Sequence, residues 1–180
     1  MPTTSFRTFT EKEVNNQKIA VVFDSKTGGT QRAGEFIAEG LNSVDGVEAR
    51  TFNIEKIDTE FANEAKGVIL RTPTYMASLT ADMKVWLDKH AVTEVGFVGK
   101  LCGVFATEGY IHGGADLAMS TIIDHMLVFG GMVYSAGGSK GSPTIHLGPV
   151  ALSPNVDDYK KLCEVYGKRF AEQAVAIFGK

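Results

Sequence analysis

The run IAVVF at residues 19–23 is apolar at every position. A strand with one face in water would alternate, so this run belongs in a sheet covered on both faces, as parallel sheets are. Shorter runs of the same kind occupy residues 67–70 and 101–105. Each run is followed by a loop of glycines, hydroxyls or aromatics and then by apolar residues at helical spacing: Ala33, Phe36, Ile37 and Leu41 after the first; Met83, Trp86, Leu87 and His90 after the second; Leu117, Ile122, Ile123, Met126 and Leu127 after the third. Residues 47–53 are more polar and suit a sheet edge, Ile57, Phe61 and Ala65 mark a short helix, and residues 132–134 make a fifth strand. A last helix spans about 156–178, with Val156, Tyr159, Leu162, Cys163, Tyr166, Phe170, Ala174 and Ile177 in one stripe. Five strands alternating with five helices predict an α/β fold with a doubly wound parallel sheet.

At 180 residues the chain has the length of one domain. Residues 1–17 show no period and read as an N-terminal arm before a domain over 18–180. A net charge of −3 argues against a nucleic-acid binder, which is usually basic. No signal-like start and no apolar run of about 18 residues occurs, so no integral membrane segment is expected, and a cytoplasmic location follows. Cys102 and Cys163 fall in apolar patterns and read as small buried hydrophobes. His90, His125 and His146 show no metal-ligand spacing, so no metal is expected.

In open parallel sheets, ligands bind at the carboxyl ends of the strands. Three loops of unusual composition fall on that edge. The first, Ser25, Lys26, Thr27, Gly28, Gly29 and Thr30, matches neither the Walker A nor the dinucleotide pattern. Its mostly neutral N–H and O–H donors at a helix start suit a phosphate monoester, although an ordinary turn with a hydroxyl cap reads the same way. The second, Thr72, Pro73, Thr74, Tyr75, Met76 and Ala77, places two large side chains after a buried strand, to cover something flat or to pack on their own domain. The third holds Thr107, Glu108, Gly109, Tyr110 and His112. His112 is placed to exchange protons near neutral pH or, alternatively, to cap the helix near Gly113. The long segment 136–154 has no helical period; such connections are functional or interfacial, and its Ile145, Leu147, Val150 and Leu152 suggest an oligomer contact.

The segments IAVVFDSKTGGTQRAGEFIA, GVILRTPTYMASLTADMKVWLD and LCGVFATEGYIHGGADLAMSTIID, with the later GGMVY, resemble the flavodoxin-like family, nearest to the WrbA-like NAD(P)H:quinone oxidoreductases and the NADPH-dependent FMN reductase type. The resemblance implies a three-layer αβα sandwich with a five-stranded parallel sheet in the order 2-1-3-4-5. It implies FMN as cofactor. The phosphate would lie in residues 25–30, with Thr74, Tyr75 and Met76, flanked by Pro73 and Ala77, lining one edge and face of the ring, and Thr107, Glu108, Gly109, Tyr110 and His112 contacting the pyrimidine side and the ribityl chain. NAD(P)H would be co-substrate and a quinone-like flat acceptor would take two electrons by a ping-pong route, with Tyr75 and Tyr110 forming the pocket and His112 donating a proton. A flavodoxin-type electron carrier is the alternative. A homodimer or homotetramer is implied as well. The chain departs from the family at Gly29, where asparagine or histidine is usual, and at Phe129 and Gly130, where the quinone-reducing branch has a histidine pair.

Overall fold

The computed structural model describes residues 16–24 and 29–179. The described strands are β1 (Gln17–Phe23), β2 (Val47–Asn53), β3 (Gly67–Pro73), β4 (Leu101–Glu108), β5 (Met132–Val133) and β6 (Val150–Leu152). The helices are α1 (Gly29–Asn42), α2 (Thr59–Glu64), α3 (Ala81–Lys89), α4 (Ala91–Glu94), α5 (Ala115–Val128) and α6 (Lys160–Phe178). The strands pair in parallel in the order β2-β1-β3-β4-β5, as expected. Gln17, assigned to the arm by its polarity, already lies in β1; the rest of the arm, apart from Asn16, is outside the described residues.

The sheet has one strand more than expected. β5 pairs with Leu101 and Cys102 at the start of β4, and β6 pairs in parallel with Ala106, Thr107 and Glu108 at its end. The two are halves of one edge strand, interrupted by residues 134–149. That excursion is fixed within the chain. Ile145 is buried, Leu147 and Val150 pack against the core, and the Arg169 guanidinium of α6 donates to the carbonyls of Lys140, Gly141, Ser142 and Pro143 at 3.0–3.4 Å. The apolar residues that suggested an oligomer contact are therefore largely spent inside the protomer.

Alternate residues of β1 face opposite cores, which is why the run shows no polar alternation. Ala20 and Val22 join Met83, Trp86 and Ile122 under α3 and α5. Ile19 and Val21 join Phe36, Leu41 and Phe170 under α1 and α6. The α1 and α6 backbones touch through glycines: a Cβ on Gly40 would lie 2.1 Å from the Glu164 carbonyl oxygen, and one on Gly167 would lie 2.1 Å from that of Ile37.

Two boundaries and one helix face differ from the sequence pattern. β3 runs on through Arg71, Thr72 and Pro73, opposite Phe105, Ala106 and Thr107, because a proline at the last rung sacrifices only one N–H. α3 begins at Ala81, where the Thr80 hydroxyl accepts the Met83 N–H at 3.1 Å, and His90 ends the helix as an exposed cap. On α5 the buried face is Ala115, Ala118, Met119, Ile122 and Met126, while Leu117 and Leu127 face solvent; the helix is apolar nearly all round, so its spacing did not define one phase.

Candidate functional site

The second and third loops meet at the carboxyl edge. The Thr74 N–H donates to the Thr107 carbonyl at 2.8 Å. Gly114, with φ 94°, approaches the second loop so closely that a Cβ there would lie 2.5 Å from the Ala77 Cα. A third tie reaches the end of β1. The buried Asp24 carboxylate accepts from the Thr80 hydroxyl, and the Thr80 N–H donates to the Thr72 hydroxyl at 3.2 Å.

The second loop is a strained hairpin. Tyr75 and Ser78 exchange N–H···O bonds of 2.9 and 3.0 Å, and the central residues Met76 and Ala77 have φ of 50° and 56°. This is the I′ pattern, which Asn-Gly normally fills. Here a methionine and an alanine hold left-handed conformations, and His112 does so in the third loop with φ 64°. Strain of this kind collects at ligand sites, where the surroundings enforce it. Substituting Met76→Gly, with the side chain 99% exposed and no packing to lose, should stabilise the ligand-free chain. Relief of about 1–2 kcal/mol of left-handed strain outweighs the extra ~0.5–1 kcal/mol of glycine chain entropy. A rise in the urea midpoint would register it, and a fall would show that the turn is unstrained.

Apolar side chains crowd the same edge in the open: Tyr110 is 75% exposed, Ile111 71% and Tyr75 54%. With Met76 they form the kind of patch that marks a binding surface. Beside them the Thr74 hydroxyl is buried without a hydrogen-bond partner among the described residues.

The other expected site residues land as follows. Ser25, Lys26, Thr27 and Gly28 lie outside the described residues, and Gly29 and Thr30 are the first two residues of α1. Pro73 closes β3. Thr107 and Glu108 are present at the edge, but their side chains are engaged within the chain. The Thr107 hydroxyl accepts from Arg71, and the Glu108 carboxylate accepts the Ala115 N–H at 3.2 Å, so Glu108 performs the helix capping considered for His112. Gly109 is exposed, with nothing within 4 Å of a Cβ position among the described residues. His112 is exposed and makes no hydrogen bond among the described residues. His125 is structural, held by the Thr121 carbonyl at 2.8 Å and Asp88 at 3.1 Å. Both cysteines are buried and free, burial pushing each thiol pKa up to about 12.

Arg71 joins this edge without any local signal in the sequence. It is fully buried at the end of β3, over the Phe105 ring, with one Nη on the Thr107 hydroxyl and the other 3.4 Å from the Asp24 carbonyl oxygen. Its Nε has no partner, and it forms no ion pair among the described residues. Burial drives its pKa well below the usual value, with the Asp24 charge opposing. An arginine nevertheless stays protonated in a protein. Burying such a charge costs on the order of several kcal/mol unless an anion offsets it. The donor set at this edge therefore fits a ligand with an anionic group and a flat apolar body: a guanidinium short of an acceptor, an unpaired hydroxyl, and exposed rings.

The family model described as NADPH-dependent FMN reductase matches residues 59–140. A flavodoxin from Clostridium saccharobutylicum is 37% identical over 161 residues, covering 89% of this chain and 99% of its own length. An NAD(P)H dehydrogenase (quinone) from Trichlorobacter lovleyi is 28% identical over 148 residues, covering 66% of this chain and 72% of its own. Among solved structures, the flavodoxin, WrbA-like protein from Agrobacterium tumefaciens superposes with a TM-score of 0.72 at 22% identity, over 89% of this chain and 99% of that one. Among the described residues no helix is long and apolar enough to cross a membrane.

Proposed function

The chain belongs to the flavodoxin-like family, and from that premise we propose that it binds FMN at the carboxyl edge of its sheet and acts as an NAD(P)H-dependent oxidoreductase on a quinone or similar flat acceptor. The observation that carries the reading is the pair of loops joined through Ala77 and Gly114, which hold Tyr75, Met76 and Tyr110 exposed, with left-handed backbone at Met76, Ala77 and His112. Bound FMN would supply the electron chemistry, taking two electrons from NAD(P)H and passing them to the acceptor in a ping-pong sequence.

The chain's own contribution is placement. Only the outer residues of an I′ turn bond to each other, so the Met76 and Ala77 N–H groups are left for the edge of a heterocycle. Tyr75, Met76 and Tyr110 present the apolar walls against which a planar ring would lie and from which it would exclude water. The Thr74 hydroxyl is available to a polar atom of the ligand. His112, exposed beside Tyr110, is positioned to hand a proton to an acceptor oxygen. Replacing His112→Ala should lower kcat for acceptor reduction by about 10²-fold or more, the low end of general-acid contributions, with FMN affinity unchanged. An unaltered kcat would remove His112 from the chemistry.

The 37% identity to a flavodoxin along its whole length favours a second reading, an electron carrier without its own turnover. Anaerobic addition of NAD(P)H to the FMN-loaded protein separates the two. The enzyme reading expects the flavin to be reduced at once by two electrons and reoxidised on adding a quinone. A carrier is inert to NAD(P)H and takes up electrons from a chemical reductant in two resolved single-electron steps.

A further inference from the structure

We propose that Arg71 makes this site select a ligand ending in a dianionic phosphate monoester over the same ligand without it; the ligand's identity as FMN rests on the reading above. The placement is particular. Arg71 sits on the side of the sheet covered by α1 and α6, at the strand end, and reaches the backbone carbonyl of Asp24, the last described residue before α1. α1, 14 residues long, begins on that same edge and turns its positive N-terminal end toward it. The groups around the guanidinium are the Thr107 hydroxyl of β4, the Phe105 ring, the Cys163 thiol of α6, the Tyr75 phenol of the second loop and Asp24, the residue just past β1.

Of these, only Asp24 carries charge, and its carboxylate is committed to the Thr80 hydroxyl near the other face. The thiol stays neutral because burial raises its pKa to about 12. Among the described residues, a fully buried cation with an unpaired Nε, on the same sheet edge as the start of α1, is thus one anion short. A structural arginine needs no such arrangement; a methionine would fill the volume without the desolvation cost. The residue destabilises the empty protein and recovers that cost when a phosphate arrives. Its fork also ties the ends of β1, β3 and β4 together at the phosphate end of the site.

The test compares the wild type with Arg71→Met, Arg71→Gln and Arg71→Lys. Affinities for FMN and for riboflavin are measured on each apo chain, and melting is followed in inorganic phosphate against chloride at equal ionic strength. Losing the charge-assisted bonds should weaken FMN about ten- to hundredfold in the Met and Gln variants, leave riboflavin within a factor of about two, and abolish the protection by phosphate. Arg71→Lys should keep much of both. The ligand-free Met variant should melt no lower than the wild type. An unchanged ratio of FMN to riboflavin affinity, with phosphate protection intact in the neutral variants, would overturn the proposal. So would failure of both neutral variants to fold while Arg71→Lys folds, which would make Arg71 a purely structural residue. If the wild type binds neither flavin, the FMN reading fails, and phosphate protection alone decides the role of Arg71.

Discussion

Replacing Phe170 by alanine should lower the stability of the chain by about 3–5 kcal/mol, the range for deleting a fully buried aromatic. The ring is 0% exposed and lies on the sheet where two neighbouring strands carry glycine. Cβ positions on Gly67 of β3 and Gly103 of β4 would fall 2.9 and 2.8 Å from its edge. Tyr134 and Tyr166 tilt against it with centroids 6.1 and 6.2 Å away. Neither glycine has a side chain to move into the void, and the tyrosines are held by their own strand and helix. The cavity therefore stays, and the cost sits at the upper end for its class. Domains are stable by only about 5–15 kcal/mol in total, so the variant should unfold at a much lower urea midpoint with an unchanged slope. A loss under about 1 kcal/mol would mean that α6 repacks onto the sheet, contrary to the glycine saddle described.

Gly114→Ala should act on binding more than on stability. Its φ of 94° is left-handed, which costs an alanine about 1–2 kcal/mol. Its new methyl would also meet the Ala77 Cα at 2.5 Å, and that neighbour is backbone with no rotamer to yield. Overpacking adds about 1–3 kcal/mol. Both loops are at the surface, so the strain is relieved by moving them apart, and the Tyr75 and Tyr110 walls separate with them. FMN affinity should fall about 30-fold or more, since 1.4 kcal/mol is tenfold, while the melting temperature drops by only a few degrees. The reverse pattern, a large stability loss with undiminished affinity, would show that the junction belongs to the fold and not to the site.

Much of this was legible in the chain because it rests on periodicity. β1 announces itself by having no polar alternate positions, and β2 by being polar enough for an edge. The aromatic loops are legible because Tyr75 and Tyr110 directly follow buried strands, and both side chains are exposed. What escaped depends on contacts that no local pattern encodes. Arg71 ends a hydrophobic run and reads as a strand terminator; only the Thr107 hydroxyl and the Asp24 carbonyl, brought alongside by strand pairing, explain how it lies buried. Met76 and Ala77 carry no turn signature; the I′ conformation shows only in their backbone, closed by the Tyr75–Ser78 bonds and packed against Gly114, where a side chain would not fit. β6 is three residues in a stretch rich in glycine and proline, and it pairs only because Ala106, Thr107 and Glu108 offer it an unpaired edge.

The central claim, an FMN site between the second and third loops, is tested most directly by titrating free FMN with the apo chain and following flavin fluorescence. The account predicts saturable quenching that ends at one flavin per chain, because Tyr75 and Tyr110 would lie against the ring, and a weakened transition in Gly114→Ala. No saturable quenching by the folded wild-type chain would contradict it.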